Sequence, residues 1–362
     1  MDLLETVKEF MLLEAASGYE QKMAAAMRKH MEIYSDDVQT DRAGNVIAKF
    51  AGTDSLAPVI MVFAHMDQLG FIVRKVEEDG LIQVDRMGGI PEKVLPALDV
   101  SLSNINGEYI PGVIGVKSHH VTPPEEKYKV DLVTSLYLDI GAAGKEDVLN
   151  AGIHVGCPVI YRPSFTKLMG SRVCGTAVDN RCGCAALVKI AEYLKGCSHK
   201  STVYLVGTVW EEYNLRGAVI AARSIHPDVG ICLDVTMSGD TPELKAKYDT
   251  GLGKGPAVGL YNFHGRGTLN GTIAHKGLYQ LARSCAGDNG LPLQEFATLG
   301  MLTDAAYVQL EGDYVACLDM GFPARYTHTP VECADLSDLE GMAQLVSLMV
   351  CRIDREFHTG RY

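Results

Sequence analysis

The chain has no apolar stretch that approaches the ~20 residues needed to cross a bilayer. It also lacks clusters of lysine and arginine, and its net charge of −12 argues against binding to nucleic acid or to an anionic membrane. The first residues carry acids and lack the basic and apolar segments of a signal peptide, which predicts a cytoplasmic protein. In that reducing compartment the ten cysteines are expected to be free thiols.

The sequence has enough apolar material for a packed enzyme. Hydrophobic residues make up 47% and charged residues 22% of its 362 residues. The length exceeds one ordinary domain, which favours either two domains or one large domain with an insertion.

Residues 1–68 have the pattern of two helices followed by two strands. Ser17-Gly-Tyr-Glu20 matches a capping box at the start of the second helix, where Met23, Met27 and Met31 share one face. Residues 58–64 are an uninterrupted apolar run, typical of a strand buried on both faces.

The middle of the chain has a different pattern. Residues 69–163 contain short β-rich pieces broken by glycine and proline, with no helical periodicity, which predicts a small all-β barrel-like insert. From residue 164 to 362 strands and helices alternate, as in a sheet covered by helices on both faces. We therefore predict a mixed-sheet α/β/α domain formed by residues 1–68 and 164–362, interrupted by the insert.

Acidic and imidazole side chains follow the predicted strands of the α/β domain. They are His65-Met-Asp67 after strand 58–64, Glu211-Glu212 after strand 202–209, Asp234 at the end of strand 229–233, and His328 after strand 314–320. Asp179, just before a predicted helix at 182–194, completes the set. Ligands bind beyond the carboxyl ends of strands in open α/β sheets, so these side chains are expected to converge on one crevice.

Two histidines and several carboxylates suit a pair of divalent ions such as zinc, cobalt or manganese, which one carboxylate can bridge. Each piece has an ordinary explanation: a His-x-Asp at a strand end is often structural, and adjacent glutamates are usually a surface pair. Glu211-Glu212, however, interrupts an apolar run, where a like-charged pair is costly unless cations neutralise it.

Five motifs resemble, in order, those of the glutamyl and tetrahedral aminopeptidase family of dinuclear metallopeptidases, some of which are labelled as glucanases. They are Ala64-His-Met-Asp-Gln-Leu-Gly-Phe-Ile-Val73, Val178-Asp-Asn-Arg-Cys-Gly183, Thr208-Val-Trp-Glu-Glu212, Asp234 and Arg325-Tyr-Thr-His-Thr-Pro330. The resemblance runs nearly end to end and includes the insert, at His119-His120 and Leu138-Asp-Ile-Gly-Ala142. Gln68 and Asn180 stand where other members often have acids.

The resemblance implies a role for each motif. Metal ligands would be His65 and Asp234 for one ion, Glu212 and His328 for the other, and Asp179 as the bridge between them. Glu211 would be the general base towards a water held by both metals, and Asp67 would orient His65. Asp304 would be a further residue behind the ligands, with a purely structural role left open.

The resemblance also implies that the insert pairs subunits, that dimers assemble into a tetrahedral dodecamer, and that the substrates are short peptides cleaved at their N-terminal residue. The His119-His120 segment would be either a loop that reaches a neighbour's site or a plain surface loop.

Other functions stay open at this point. The fold and the ligands would equally serve a dinuclear carboxypeptidase or deacylase. A glucanase would need two carboxylates on opposite sides of the bond, about 5–9.5 Å apart, and would leave the histidines unexplained. A non-catalytic assembly protein would be expected to have lost a ligand or the base, yet every position is present.

Overall fold

The computed structural model describes residues 1–265 and 269–362. In these residues eight α-helices are found: α1 (Leu3–Met11), α2 (Gln21–Met31), α3 (Lys145–Asn150), α4 (Val178–Lys195), α5 (Gly217–Ile225), α6 (Lys276–Asp288), α7 (Ala305–Val308) and α8 (Leu336–Arg352).

The same residues form eighteen strands. The first nine are β1 (Asp37–Thr40), β2 (Val46–Phe50), β3 (Ile60–His65), β4 (Gly70–Val76), β5 (Ile82–Met87), β6 (Asp99–Ser103), β7 (Tyr109–Ile114), β8 (Leu138–Asp139) and β9 (Pro158–Tyr161). The others are β10 (Phe165–Lys167), β11 (Arg172–Gly175), β12 (Val203–Thr208), β13 (Val229–Met237), β14 (Ala257–His264), β15 (Asn270–Ile273), β16 (Gln294–Leu299), β17 (Ala316–Arg325) and β18 (Glu332–Asp335).

Twelve strands form one mixed sheet, in the order β1-β2-β12-β3-β13-β17-β18-β11-β10, with β14 attached to β17 and carrying β15 and β16. The four strands β12, β3, β13 and β17 are parallel neighbours, and antiparallel strands continue the sheet on both sides. The carboxyl ends of the four parallel strands therefore open at one edge of the sheet.

Strand β3 explains why helices cover both faces of this sheet. All six of its residues are buried, and their side chains alternate between faces because successive residues of a strand point to opposite sides. Ile60, Val62 and Ala64 pack in a core with α1, α2, α4, α6 and α8. Met61 and Phe63 pack in a second core with α5 and α7. The predicted α/β fold with a mixed sheet is confirmed.

The inserted residues have a hydrophobic core of their own. It is built from apolar side chains between Leu69 and Tyr161. Strands β4, β5, β8, β7, β6 and β9 pair around it in a closed antiparallel ring. The short helix α3 also lies here, although the sequence predicted no helix, because six residues are too few to produce a clear helical period.

The predicted capping box at Ser17–Glu20 is wrong. Helix α2 begins at Gln21 with no side-chain cap, and the Ser17 hydroxyl donates instead to Asp67 Oδ2 at 2.6 Å. The local sequence pattern at Ser17 competed with a partner from elsewhere in the chain. The final helix is capped by Asp335, whose carboxylate accepts from the Ser337 amide.

The side chains of Cys197 and Cys351 lie next to each other, and the other eight cysteines are free thiols. That all ten are reduced stays a prediction. Within residues 1–265 and 269–362 no helix combines the length and the apolar content that a membrane crossing requires. The cytoplasmic location stays a prediction.

Candidate active site

The edge where the parallel strands end gathers the residues singled out in the sequence. His65 is the last residue of β3 and pairs in register with Thr208, the last residue of β12. Glu211 and Glu212 follow β12 within four residues. The parallel alignment of these two strands is what brings residues 146 positions apart in sequence to one place.

Asp234 lies inside strand β13, which continues to Met237, and not at its end as predicted. The pairing of β13 with β3 stops at Cys232 and Phe63, so the two strands separate beyond that point. The gap exposes Asp234 to His65: the distance from His65 Nε2 to Asp234 Oδ1 is 3.9 Å. This part of the crevice is therefore formed where β3 and β13 separate, and not where a strand ends.

Asp179 lies between the two histidines. Its Oδ1 is 3.0 Å from His65 Nε2, and its Oδ2 is 3.7 Å from His328 Nε2. The backbone at Asp179 and Asn180 is non-helical although both stand at the start of α4. Asn180 is held by a bond from its side-chain amide to the Leu233 carbonyl at 2.8 Å. This irregular start lets the carboxylate point into the crevice rather than along the helix.

Asp67 is completely buried and binds four partners. The Glu211 amide donates to its Oδ1 at 3.0 Å, and the Glu212 amide donates to its Oδ2 at 3.1 Å. Ser17 donates to Oδ2 as described, and His65 Nδ1 is 3.2 Å from the Asp67 carbonyl oxygen and 3.5 Å from Oδ1. Asp67 therefore orients an imidazole, and its carboxylate anchors the loop that carries two further acids.

Three overlapping groups of side chains have all their candidate ligand atoms within 4.8 Å of one another. They are His65 with Asp179 and Asp234, His65 with Glu211 and Glu212, and Asp179 with Glu212 and His328. The first and the third share Asp179. Every predicted ligand is present in these groups, and all ligand atoms are nitrogen or oxygen, as hard or borderline divalent ions prefer.

The electrostatics of the cluster show an excess of negative charge. Burial raises the pKa of Glu211, Glu212 and Asp234 well above their ordinary values, and neighbouring carboxylates raise it further. Burial lowers the pKa of His65, but Glu211, Asp179, Asp67 and Asp234 outweigh it and hold that pKa well above its ordinary value. Each ionised carboxylate is thus destabilised by the others.

Two observations show that cations fit this cluster. Glu212 Oε1 is buried without a hydrogen-bond partner, a costly state for a carboxylate oxygen. Of the lysines and arginines that the structure describes, none forms an ion pair with any of the four acids that face the cavity. Divalent ions would satisfy the orphaned oxygen and neutralise the charge together.

Glu332 was not predicted from the sequence. It is buried, and its two carboxylate oxygens accept from the Asp179 amide at 3.0 Å and the His328 amide at 2.6 Å. It thereby ties two candidate ligands to each other through the backbone. A buried acid four residues after His328 was the only available signal, and sequence alone does not reveal burial.

The insert also contributes to the site. Nδ1 of His328 is 2.8 Å from the Gly89 carbonyl oxygen, which leaves Nε2 as the nitrogen that faces Asp179. Gly89, Ile90, Pro91 and Arg86 line a cavity of about 920 Å³ together with the clustered acids and histidines. The cavity therefore has one wall from the α/β domain and one from the insert.

Asp304 lies behind the cluster. Its Oδ2 accepts from the Thr208 hydroxyl at 3.0 Å, its Oδ1 is buried without a partner, and burial raises its pKa to about 7. It belongs to none of the candidate ligand groups. His119 and His120 lie on an exposed 3-10 turn and are not among the residues that line the cavity.

Parallel strands that gather two imidazoles and four carboxylates around one cavity define an α/β protein with a candidate metal site at its strand ends. The chain belongs to the M42 glutamyl aminopeptidase family, whose model matches residues 44–345. The family resemblance seen in the sequence motifs is therefore confirmed.

Two relatives match nearly the whole chain. It is 36% identical to the Escherichia coli K12 protein SgcX over 346 residues, 95% of this chain and 92% of that protein. It is 32% identical to the lysyl aminopeptidase of Pyrococcus furiosus over 350 residues, 96% of each.

Solved structures share the fold. An aminopeptidase from the archaeon Desulfurococcus kamchatkensis superimposes with a TM-score of 0.91 at 33% identity, covering 98% of this chain and 96% of that one. The TET1 peptidase of Pyrococcus horikoshii has a TM-score of 0.84 at 26% identity, covering 97% and 100%, and is described as assembling into a tetrahedron or a large octahedral shell.

The contact between Gly89 and His328 can be tested by adding one methyl group. A Cβ at Gly89 would lie 3.1 Å from His328 Nδ1, so the imidazole must shift in a Gly89→Ala variant. We expect the affinity for zinc or cobalt to fall by about 10-fold or more, as when a ligand's orienting partner is lost. Calorimetric titration of the metal-free protein measures it.

The matched control is Gly287→Ala in α6, where an added Cβ meets nothing within 4 Å. It should bind metal as the unmodified protein does. Equal affinities in the two variants would show that metal binding does not depend on the position of the His328 imidazole against Gly89.

Proposed function

We propose that the chain is a metal-dependent aminopeptidase that removes N-terminal residues from short peptides, with Glu211 as the general base. The observation that carries the proposal is the pair of ligand groups that share Asp179, each with one histidine and one further acid. This is the donor set of a two-metal centre with a bridging carboxylate. The aminopeptidase names of the relatives support the choice of substrate end.

The proposed ligands divide in two. His65 and Asp234 would hold one ion, Glu212 and His328 the other, and the carboxylate of Asp179 would reach both. The orphaned oxygen of Glu212 and the distances from Asp179 to both histidines support this division. Zinc, cobalt and manganese all accept such nitrogen and oxygen ligands, and zinc or cobalt is our preferred pair.

When bound, a pair of divalent ions polarises a peptide carbonyl and brings the pKa of water towards neutrality. The proton chemistry then falls to Glu211. Its carboxylate faces the cavity with Oε2 3.9 Å from His65 Nε2, and its amide is fixed by Asp67. Glu211 would take a proton from the attacking water and deliver it to the leaving amine.

Asp67 would act without touching the substrate. Its carboxylate faces Nδ1 of His65, which directs Nε2 of the ring to the centre, and it holds the amides of both glutamates. Loss of such an orienting carboxylate commonly costs metal affinity or activity even though the ligands remain.

The role of Glu211 can be tested by the Glu211→Gln variant. The amide cannot accept a proton, so kcat should fall by about 10²–10⁴-fold while elemental analysis still finds both metals. Rates are measured on a panel of residue amides with free amino groups, with zinc, cobalt or manganese. Glu356→Gln, an exposed site with the same chemical change, should leave kcat unaltered.

A Glu211→Gln variant with near-normal rates would exclude Glu211 as the base. Cleavage of peptides only at their free C-terminus, with residue amides untouched, would instead indicate a carboxypeptidase on the same centre.

Asp179→Asn tests the bridge. A neutral amide is a poor ligand for two dications at once, so we expect metal content to fall from two ions per chain to one or none. Asp313→Asn, on the exposed turn after α7, is the matched control. If mass spectrometry under native conditions still finds two ions in Asp179→Asn, this residue is not the bridge.

We further propose that residues 69–163 form a separate domain that pairs subunits, within a catalytic domain of residues 1–68 and 164–362. The insert exposes apolar side chains on one stretch, including Tyr128 at 95%, Val121 at 67% and Leu132 at 59%. Exposed large apolar side chains are often found at interfaces. The TET1 peptidase, which is similar over the whole chain, forms a shell.

The assembly has a direct test. A tetrahedral dodecamer would have a mass near twelve times the 39.2 kDa chain in light scattering. Charged substitutions at Leu132 and Val121 should reduce it, because a charge buried in an interface is costly. A homogeneous monomer in the unmodified protein would contradict self-association.

A further inference from the structure

The loop between α1 and α2 lies directly behind the loop that carries the two glutamates. The Gln68 amide donates to the Ala15 carbonyl at 3.0 Å, and Ser17 donates to Asp67 as described above. Residues 15–20 thus pack against the segment that follows β3. This is the stretch whose sequence resembles a capping box, although its side chains do not cap α2.

Three successive backbone amides after β12 all donate to buried carboxylates. Those of Glu211 and Glu212 bind Asp67, and that of Trp210 donates to Glu20 Oε1 at 3.3 Å. The same Glu20 oxygen accepts from the Gly18 amide at 2.8 Å. Two acids from distant parts of the chain therefore hold the whole beginning of the loop.

The backbone of Trp210 is in a conformation that requires a stabilising hydrogen-bond partner. Its φ angle is +60°, in the left-handed region that side chains other than glycine adopt only when the surroundings enforce it. Gly18, opposite it, has φ +87°, and a Cβ there would lie 3.7 Å from Trp210 Nε1. The turn of the chain at Trp210 sets the direction in which Glu211 leaves the strand.

Glu20 is buried although it does not cap a helix. Its side chain makes no capping bond to α2, yet the residue is only 5% exposed. Burial, with Asp67 adding to it, raises the pKa of Glu20 to about 7, which shows the cost of this position. A buried acid is costly to keep where an apolar residue would fill the space.

We propose that Glu20 is a positioning residue for Glu211: by holding the Trp210 amide it fixes the left-handed turn that aims the catalytic glutamate at the centre. The inference rests on the proposed role of Glu211 as the base. Glu20 itself lies behind the loop and touches neither the cavity nor its candidate ligands.

The test compares Glu20→Ala with Glu20→Gln. Alanine removes the acceptor, so kcat should fall by about 10- to 100-fold through a misplaced base, with KM and metal content unchanged. Glutamine retains an acceptor oxygen and should restore most of the rate. Gln21→Ala, at an exposed neighbour on α2, is the control and should behave as the unmodified protein.

Trp210 is the only tryptophan of the chain, so its fluorescence reports on this turn alone. Glu20→Ala should shift its emission and increase its quenching by acrylamide, whereas Glu20→Gln and Gln21→Ala should not. A folded Glu20→Ala variant with kcat within about twofold of normal, or Ala and Gln variants with equal losses, would overturn the proposal.

If Glu20→Ala does not fold, Glu20→Asp takes its place. The shorter side chain keeps the charge but cannot hold both amides, so a smaller loss of kcat at unchanged KM is expected, and unaltered kinetics would overturn the proposal. If the unmodified protein cleaves no peptide, the proposed function fails. The Trp210 emission then decides by itself whether Glu20 holds the turn, and an emission unchanged in the variants contradicts it.

Discussion

The site depends on one buried carboxylate, that of Asp67. It faces Nδ1 of His65 and accepts from the amides of Glu211 and Glu212, so an imidazole and two acids from separate strands share one anchor. Ser17 and the loop before α2 hold this anchor from behind. Because a buried carboxylate is stable only with its hydrogen-bonding capacity filled, the geometry of the cluster and the burial of Asp67 require each other.

Around that anchor the protein concentrates negative charge. The acids that face the cavity raise one another's pKa, and an oxygen of Glu212 stays without a partner. Divalent cations, where bound, would offset the cost of such a cluster. The core around β3, by contrast, is apolar and buried.

The insert is more than an addition to the surface. Its Gly89 carbonyl binds the imidazole of His328, and four of its residues line the cavity. Glu332 connects the same histidine to Asp179 from the other side. His328 is thus oriented both by the insert and by the α/β part of the chain. A movement of the insert would therefore displace this candidate ligand.

The sequence by itself determined the α/β class, the β-rich insert and the residues that meet at the strand ends, because buried strands and the chemistry that follows them leave a local pattern. The prediction of a capping box at Ser17–Glu20, which has the residue types of such a box, was wrong. The sequence also did not reveal that Glu332 and Gly89 hold residues of the site. Only the tertiary structure decided those, since hydrogen bonds between Ser17 and Asp67, or between Glu20 and Trp210, join residues up to 190 positions apart. A contact between residues so far apart depends on how the strands align. The local pattern of apolar and polar residues therefore does not predict it.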